Sequence, residues 1–241
     1  MAALDRILGR SRAGGEGEGA HWLSVSDLMA GLMMVFLFIA IALMRSAFSE
    51  RDQIREIAVA YQENQVAIYE ALVEEFARDL TRWDAAIDQE TLSFEFRSPD
   101  VLFAPGATVI RPRFQQILND FFPRYLETLR GFKESVNEIR VEGHTSSDWA
   151  GVPSETEAYF LNMTLSQGRT RSVLRYVYDL PEIERDRDWV KQTFAAVGFS
   201  SSRLILDAAG REDPDRSRRV TFRVVTNAET QIRRILEEPE G

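Results

Sequence analysis

The chain has 241 residues, of which 44% are hydrophobic, 10% aromatic and 28% charged, a globular composition that excludes wholesale disorder. With 38 acidic and 29 basic residues the net charge is −9, so the basic footprint of a nucleic-acid binder is missing and no direct nucleic-acid partner is expected. There is no cysteine, and His21 and His144 are the only histidines, which excludes disulfides, thiolate zinc sites, iron–sulfur clusters, cysteine nucleophiles and histidine-rich metal centres.

Residues 1–21 contain Gly-Gly-Glu-Gly-Glu-Gly at 14–19 and read as a flexible tail. Residues 22–44 read WLSVSDLMAGLMMVFLFIAIALM. As a helix these 23 residues reach roughly 35 Å, enough to cross a hydrocarbon core of about 30 Å with some tilt. The run is longer than the apolar region of a cleaved signal peptide and closes on Met44-Arg45 without a convincing small-residue cleavage site. An uncleaved transmembrane anchor is therefore predicted. Arg6, Arg10 and Arg12 precede the span and Arg45, Arg51 and Arg55 follow it, so charge alone does not set its orientation.

Asp27 is the one ionisable residue in this stretch. A carboxylate at a membrane-helix centre costs roughly 2.5–3.5 kcal/mol on insertion scales, and such residues tend to be functional. Capping of the helix start, together with Ser24 and Ser26, is the competing reading. Ala30, Gly31 and Met34 follow on nearly the same face, where small residues let another helix approach.

Residues 45–90 contain no glycine or proline and read as a helical linker. Ile54, Ala58, Tyr61, Gln65, Ile68 and Leu72 follow heptad spacing, with Gln65 as a polar inclusion, and Phe76, Leu80, Trp83 and Ile87 continue the stripe. A parallel helical dimer and a single amphipathic helix packed on the next domain both fit.

From about residue 91 the pattern changes. Strands are predicted over 91–97 and 136–143, a helix over 112–130 starting at Pro112 with a kink at Pro123, and a helix over 164–179. Residues 147–163 stay unassigned. A short helix is expected over 186–197, strands over 203–209 and 219–225 as neighbours, and a helical tail after Asn227. The order β-α-β-α-α-β-β makes 91–241 an α+β sandwich, with helices on one face of a sheet. Gly143-His144-Thr145-Ser146 ends a strand, and Asn162-x-x-Leu165-Ser166-x-x-Arg169 offers a fixed cation, together an anion-binding corner.

No enzyme is expected. There is no Walker lysine motif, no H-E-x-x-H and no dinucleotide Gly-x-Gly-x-x-Gly. His144, Ser146 and Asp148 lie too close together on one strand end to arrange nucleophile, base and orienting group.

Over roughly residues 92–226 the chain resembles the OmpA-like peptidoglycan-binding family. The resemblance rests on Gly143-His144-Thr145-Ser146, Asn162-Met-Thr-Leu165-Ser166-Gln-Gly-Arg169, Gly210 and Ser217-Arg218-Arg219-Val220. It implies recognition of the diaminopimelate of a wall peptide by Arg169, with Thr145, Asn162 and Leu165 around it. Ser146 occupies the position of the family's aspartate and the nearest acid is Asp148, so either Asp148 takes that role or the peptide is held differently.

The anchor Ser24-x-Ser26-Asp27-Leu-Met-Ala-Gly-Leu-Met-Met-x-Phe36, joined to such a domain, resembles the flagellar stator subunit MotB. It resembles the MotB-like subunits of Zorya anti-phage systems more closely. That resemblance implies a single-pass inner-membrane protein with a cytoplasmic N-terminus, a periplasmic linker and a periplasmic wall-binding domain. It implies a homodimer inside a pentamer of a MotA-like partner, with Asp27 carrying a proton or sodium ion and no other cofactor. Cytoplasmic defence effectors would be reached indirectly. A passive wall tether and a flagellar stator subunit are the alternatives.

Overall fold

The computed structural model describes residues 16–97, 99–152 and 154–227, and the chain divides after Glu56 into two units. The expected flexible tail over 1–15 and the expected helical tail over 228–241 lie outside the described residues. Helix α1 (Glu16–Phe76) begins ahead of Trp22, so residues 16–21 of the expected tail are helical. Once nucleated by a long apolar run, a helix extends into its flanks at little cost. In the first unit, Ser26–Glu56 contains a window of mean hydropathy 2.4, apolar and long enough to cross a membrane.

The second unit is an α+β domain. The last turns of α1 belong to it: Ile68, Leu72 and Phe76 are fully buried. Gln65, the polar position in the stripe, donates its amide to Gln89 O (2.9 Å) and Glu90 O (2.8 Å). Over 65–76, then, the stripe is that of a helix packed on its own domain. The linker does not stay helical to residue 90. After the short helix α2 (Leu80–Trp83), Asp84 takes a left-handed conformation (φ 47°), which aspartate tolerates better than most residues, and ends it. Strand β1 (Ala85–Asp88) then pairs antiparallel with β2 (Ser93–Phe96). Asp88 Oδ1 closes the turn by accepting from both Thr91 N and Thr91 Oγ1, each at 2.7 Å.

Helix α3 (Pro99–Leu102) precedes α4 (Pro112–Arg130), which starts at a proline, as expected, and runs through Pro123. Strand β3 (Val136–Gly143) is followed by α5 (Glu155–Tyr178). This helix begins nine residues before the expected 164, at the N-cap Ser154, whose Oγ accepts from Glu157 N (3.4 Å). After a 3₁₀ turn (Pro181–Asp186), α6 (Arg187–Thr193) forms the first part of the helix expected over 186–197. Its remainder is a strand, β4 (Phe194–Gly198), parallel to β3. The strand expected over 203–209 is absent apart from a single bridge, Leu206 with Glu212. Asp207 Oδ1 accepts from Ala209 N (2.8 Å) and Arg211 N (3.0 Å), which curls the chain into a turn. After α7 (Pro214–Ser217), β5 (Val220–Thr226) pairs with β2 and β3, not with 203–209.

The sheet order is β1-β2-β5-β3-β4. Period-two alternation puts Phe94, Phe96, Ile139, Val141, Phe222 and Val224 on the core side. Phe121 of α4 is the hub of that core, its ring centroid 4.6 Å from Phe94, 5.1 Å from Phe96 and Phe222, and 5.3 Å from Phe76. The opposite face carries Glu95, Glu138, Arg140 and Arg223, all half-buried.

Helix α5 crosses the β3–β4 pair where the register sets Gly143 opposite Gly198. A Cβ on Gly143 would lie 2.8 Å from Ser166 O, and one on Gly198 would lie 2.5 Å from Gln167 N. Gly198→Ala is expected to destabilise the domain by about 1–3 kcal/mol through overpacking against backbone. Gly131→Ala, where the added carbon meets nothing within 4 Å, is expected to stay within about 0.5 kcal/mol. Thermal unfolding of the full-length variants in detergent reads the difference.

Candidate functional site

The close crossing of α5 over Gly143 and Gly198 builds the corner beyond the sheet. Ser166, fully buried, donates to Met163 O (3.0 Å) and accepts from Ser200 N (3.1 Å). Ser200, at φ 53°, donates its hydroxyl to Tyr159 O (2.7 Å) and accepts from Thr145 N (3.0 Å) through its carbonyl. Sequence reasoning missed Ser200, because its partners lie 34 to 55 positions away. Asn162 is buried and donates to Asp148 O (3.3 Å), pinning the loop after β3.

Arg169 is half-buried. Its Nε donates to Ala107 O (2.9 Å) and an Nη to Ala104 O (3.2 Å), and its guanidinium lies 4.9 Å from the Phe103 ring centroid. Burial, with the Arg218 charge nearby, pulls its pKa down to about 10, so it stays cationic at neutral pH. Around it, a closed space of about 10 Å³ is lined by Phe103, His144, Arg218 and Arg219 among others. That volume holds about one water, so the space as it stands is too small for a carboxylate.

His144 is buried, donates its backbone N–H to Arg219 O (3.0 Å) and stacks on Phe199 (centroids 5.4 Å, 12°). Its Nε2 lies 3.6 Å from Glu142 Oε2, which Arg203 approaches at 3.5 Å. Thr145 is buried, and among the described residues neither its Oγ1 nor His144 Nδ1 has a hydrogen-bond partner. Burial, helped by Arg219 and Arg203, outweighs Glu142 and holds His144 below the usual imidazole range. Burial by itself would lift Glu142, but His144, Arg203 and Arg223 hold it below the usual carboxylate range.

The structure gathers Thr145, His144, Asn162 and Arg169 at one end of the sheet, with Leu165 half-buried on the same helix. Asp148 does not join Arg169 in the closed space. Its side chain is exposed and lines a separate groove with Trp149 and Tyr159. Ser146 is buried. Among the described residues no cluster of His, Asp and Glu could hold a metal ion.

In the first unit Asp27 is exposed on α1. Leu28 (75% exposed), Met33 (71%) and Phe38 (68%) follow it on an uncovered apolar helix. A Cβ on Gly31, one turn on from Asp27, would meet nothing within 4 Å.

Both buried groups at the strand end carry depressed pKa values, so the unfolded chain binds more protons as the pH falls below about 6.5 and stability is lost with acid. The unfolding midpoint is expected to drop between pH 7.5 and pH 5, and His144→Gln to flatten that drop. An unchanged slope in the variant would assign the acid sensitivity to other groups.

No model of a protein family matches the chain. Zorya protein ZorB of Escherichia coli (strain Crooks) is 56% identical over 235 residues, 98% of this chain and 100% of that protein. The chain is also similar to the crystal structure of a putative MotB like protein from Desulfovibrio vulgaris (20% identity, 71% of this chain and 94% of that one, TM-score 0.47). The cell wall anchor of the T6SS from Pseudomonas aeruginosa is similar at 24% identity, 64% of this chain and 96% of that one, TM-score 0.42.

Proposed function

The chain belongs to the ZorB family, and on that footing we propose that it is the MotB-like stator subunit of an ion-driven inner-membrane motor used in anti-phage defence. One observation carries the reading beyond kinship: an acidic residue, Asp27, stands near the start of an apolar span whose side chains are exposed among the described residues. The N-terminus is cytoplasmic and the α+β domain periplasmic. Two copies of the chain present two Asp27 carboxylates to a pentameric ring of MotA-like ZorA subunits. Between packed helices, loss of water raises a carboxylate's pKa, and a nearby hydroxyl or helix dipole lowers it again. As the ring turns and these surroundings alternate, Asp27 takes up and releases a proton or sodium ion. One charge crossing 100 mV releases about 2.3 kcal/mol, enough to bias each step. The α+β domain holds peptidoglycan, with Arg169, Thr145, Asn162 and Leu165 at the corner and Asp148 beside it, so that the dimer stands still while the ring moves. Rotation signals to cytoplasmic defence effectors.

Asp27→Asn removes the titratable group while keeping its size. Membrane insertion and co-purification with the ring subunit are expected to survive, and both ion flux and protection from phage to be lost. Full protection in the substituted strain would reduce the chain to a passive wall tether.

Arg169→Ala removes both the cation and the clamp on the loop at Ala104 and Ala107. Sedimentation with purified sacculi is expected to fall about tenfold, ~1.4 kcal/mol. Arg169→Lys, which keeps charge without the planar fork, is expected in between. Undiminished sedimentation of both variants would make Arg169 a loop clamp only.

A further inference from the structure

Beside the corner lies a groove of about 700 Å³ between the loop after β3 and the first turns of α5. We propose that it binds the sugar strand of the wall, as a subsite separate from the one that takes the peptide. This rests on the peptidoglycan reading above and adds to it a ligand class, a neutral, hydroxyl-rich chain of N-acetylated aminosugars.

Two half-buried aromatic rings, Trp149 and Tyr159, line the groove, with the hydroxyls of Thr156 and Ser201 and the exposed carboxylates of Asp148 and Glu155. Sugar rings present C–H groups on their faces and hydroxyls around their edges. The negative face of an aromatic ring receives the first, and carboxylates and hydroxyls receive the second. Concave sites with an aromatic wall and a few converging polar groups are the usual form of small-ligand sites. Among the described residues lining the groove none is basic, so it offers nothing to the carboxylate ends of a stem peptide. The basic groups, Arg169, Arg218 and Arg219, all line the other space. The two chemistries are thus sorted into two neighbouring sites.

The groove is built, not improvised. Trp149 sits on a turn closed by Val152 N donating to Trp149 O (3.2 Å), with Gly151 at φ 81°. Asn162 holds Asp148 O from below, and Ser147 is tied to Glu212 through its backbone N–H (3.0 Å) and its hydroxyl. Tyr159 is fixed through its carbonyl by Ser200 and braced edge-on by the Phe160 ring (centroids 5.5 Å, 81°). Positions ordered before binding cost less when a ligand arrives. The groove opens one residue past buried Ser146, on the same loop that follows Gly143-His144-Thr145 at the corner.

The test uses the full-length chain in detergent with three probes: purified sacculi, a peptide-free tetramer of N-acetylglucosamine, and a sugar-free stem peptide. The chain is expected to bind the tetramer. Trp149→Ala is expected to weaken that binding about tenfold, and Trp149→Phe, which keeps a ring, to stay within about threefold of wild type. Arg169→Ala is expected to leave tetramer binding unchanged and to weaken the stem peptide. A chain that sediments with sacculi yet ignores the tetramer overturns the sugar subsite while the wall reading stands. So does a Trp149→Ala variant, unchanged in its circular dichroism, that loses the stem peptide instead. A chain that fails to sediment with sacculi overturns the wall reading, and this proposal with it.

Discussion

The bare backbone at Gly143 and Gly198 is the constraint on which the corner of the α+β domain depends. These two residues face one another across the β3–β4 pair, and no side chain fits between them and α5. Because the helix comes so close, Ser166 can reach Ser200, and Ser200 can reach both Thr145 and Tyr159. The same approach carries Arg169 over the loop it clamps. A hydrogen bond that depends on helix–strand distance is lost steeply as that distance grows. One extra methyl at either glycine would therefore be felt at every group of the corner.

The rest of the domain is organised around a separate aromatic core. The phenylalanine cluster around Phe121 joins the last turns of α1, α4 and the core face of the sheet. At its margin Arg124 binds Glu75 (2.6 Å), Asp79 (2.9 Å) and Asp120 (3.1 Å), and lies 4.8 Å from the Phe76 ring centroid. Exposed ion pairs of this kind contribute little individually. Their geometry nevertheless fixes where α1 ends on the domain, and the burial of Ile68, Leu72 and Phe76 supplies the larger stabilisation.

Elements whose pattern is local were legible in the sequence. Strand β3 alternates from Glu138 to Val141, and α4 opens on Pro112 with one apolar face. Elements that depend on distant partners were not. Ala85–Asp88 continues a helical stripe and becomes a strand because β2 lies alongside it. Phe194–Gly198 has β-favouring residues only at Phe194 and Val197 and is extended because β3 pairs with it. The 203–209 segment has the apolar content of a strand, but the Asp207 side chain competes for its backbone. The site divides in the same way. Arg169, Asn162 and Thr145 could be singled out from their motifs, whereas Ser200, Phe199 and Glu142 are recognisable only after folding. Asp148 marks the limit of motif reasoning: it lies two residues from the position of interest, and the chain turns its side chain into a different groove.

The first unit follows another logic, because its apolar side chains are exposed among the described residues. Leu28, Met33 and Phe38 are more than two-thirds exposed on a single helix. Such a surface is stable in lipid, where the backbone is satisfied internally and apolar side chains meet apolar solvent. Asp27 is the exception on that surface. In lipid alone it would cost a few kcal/mol, and an interfacial water contact would relieve the cost only by leaving it idle. A third solution is burial against other chains, and Gly31, one turn away and with open space where a Cβ would stand, leaves the backbone bare for such an approach. The α+β domain carries its own hydrogen-bonding partners within the fold. On the apolar helix Asp27 is exposed, so on the proposed reading its surroundings are supplied by the chains that assemble around it.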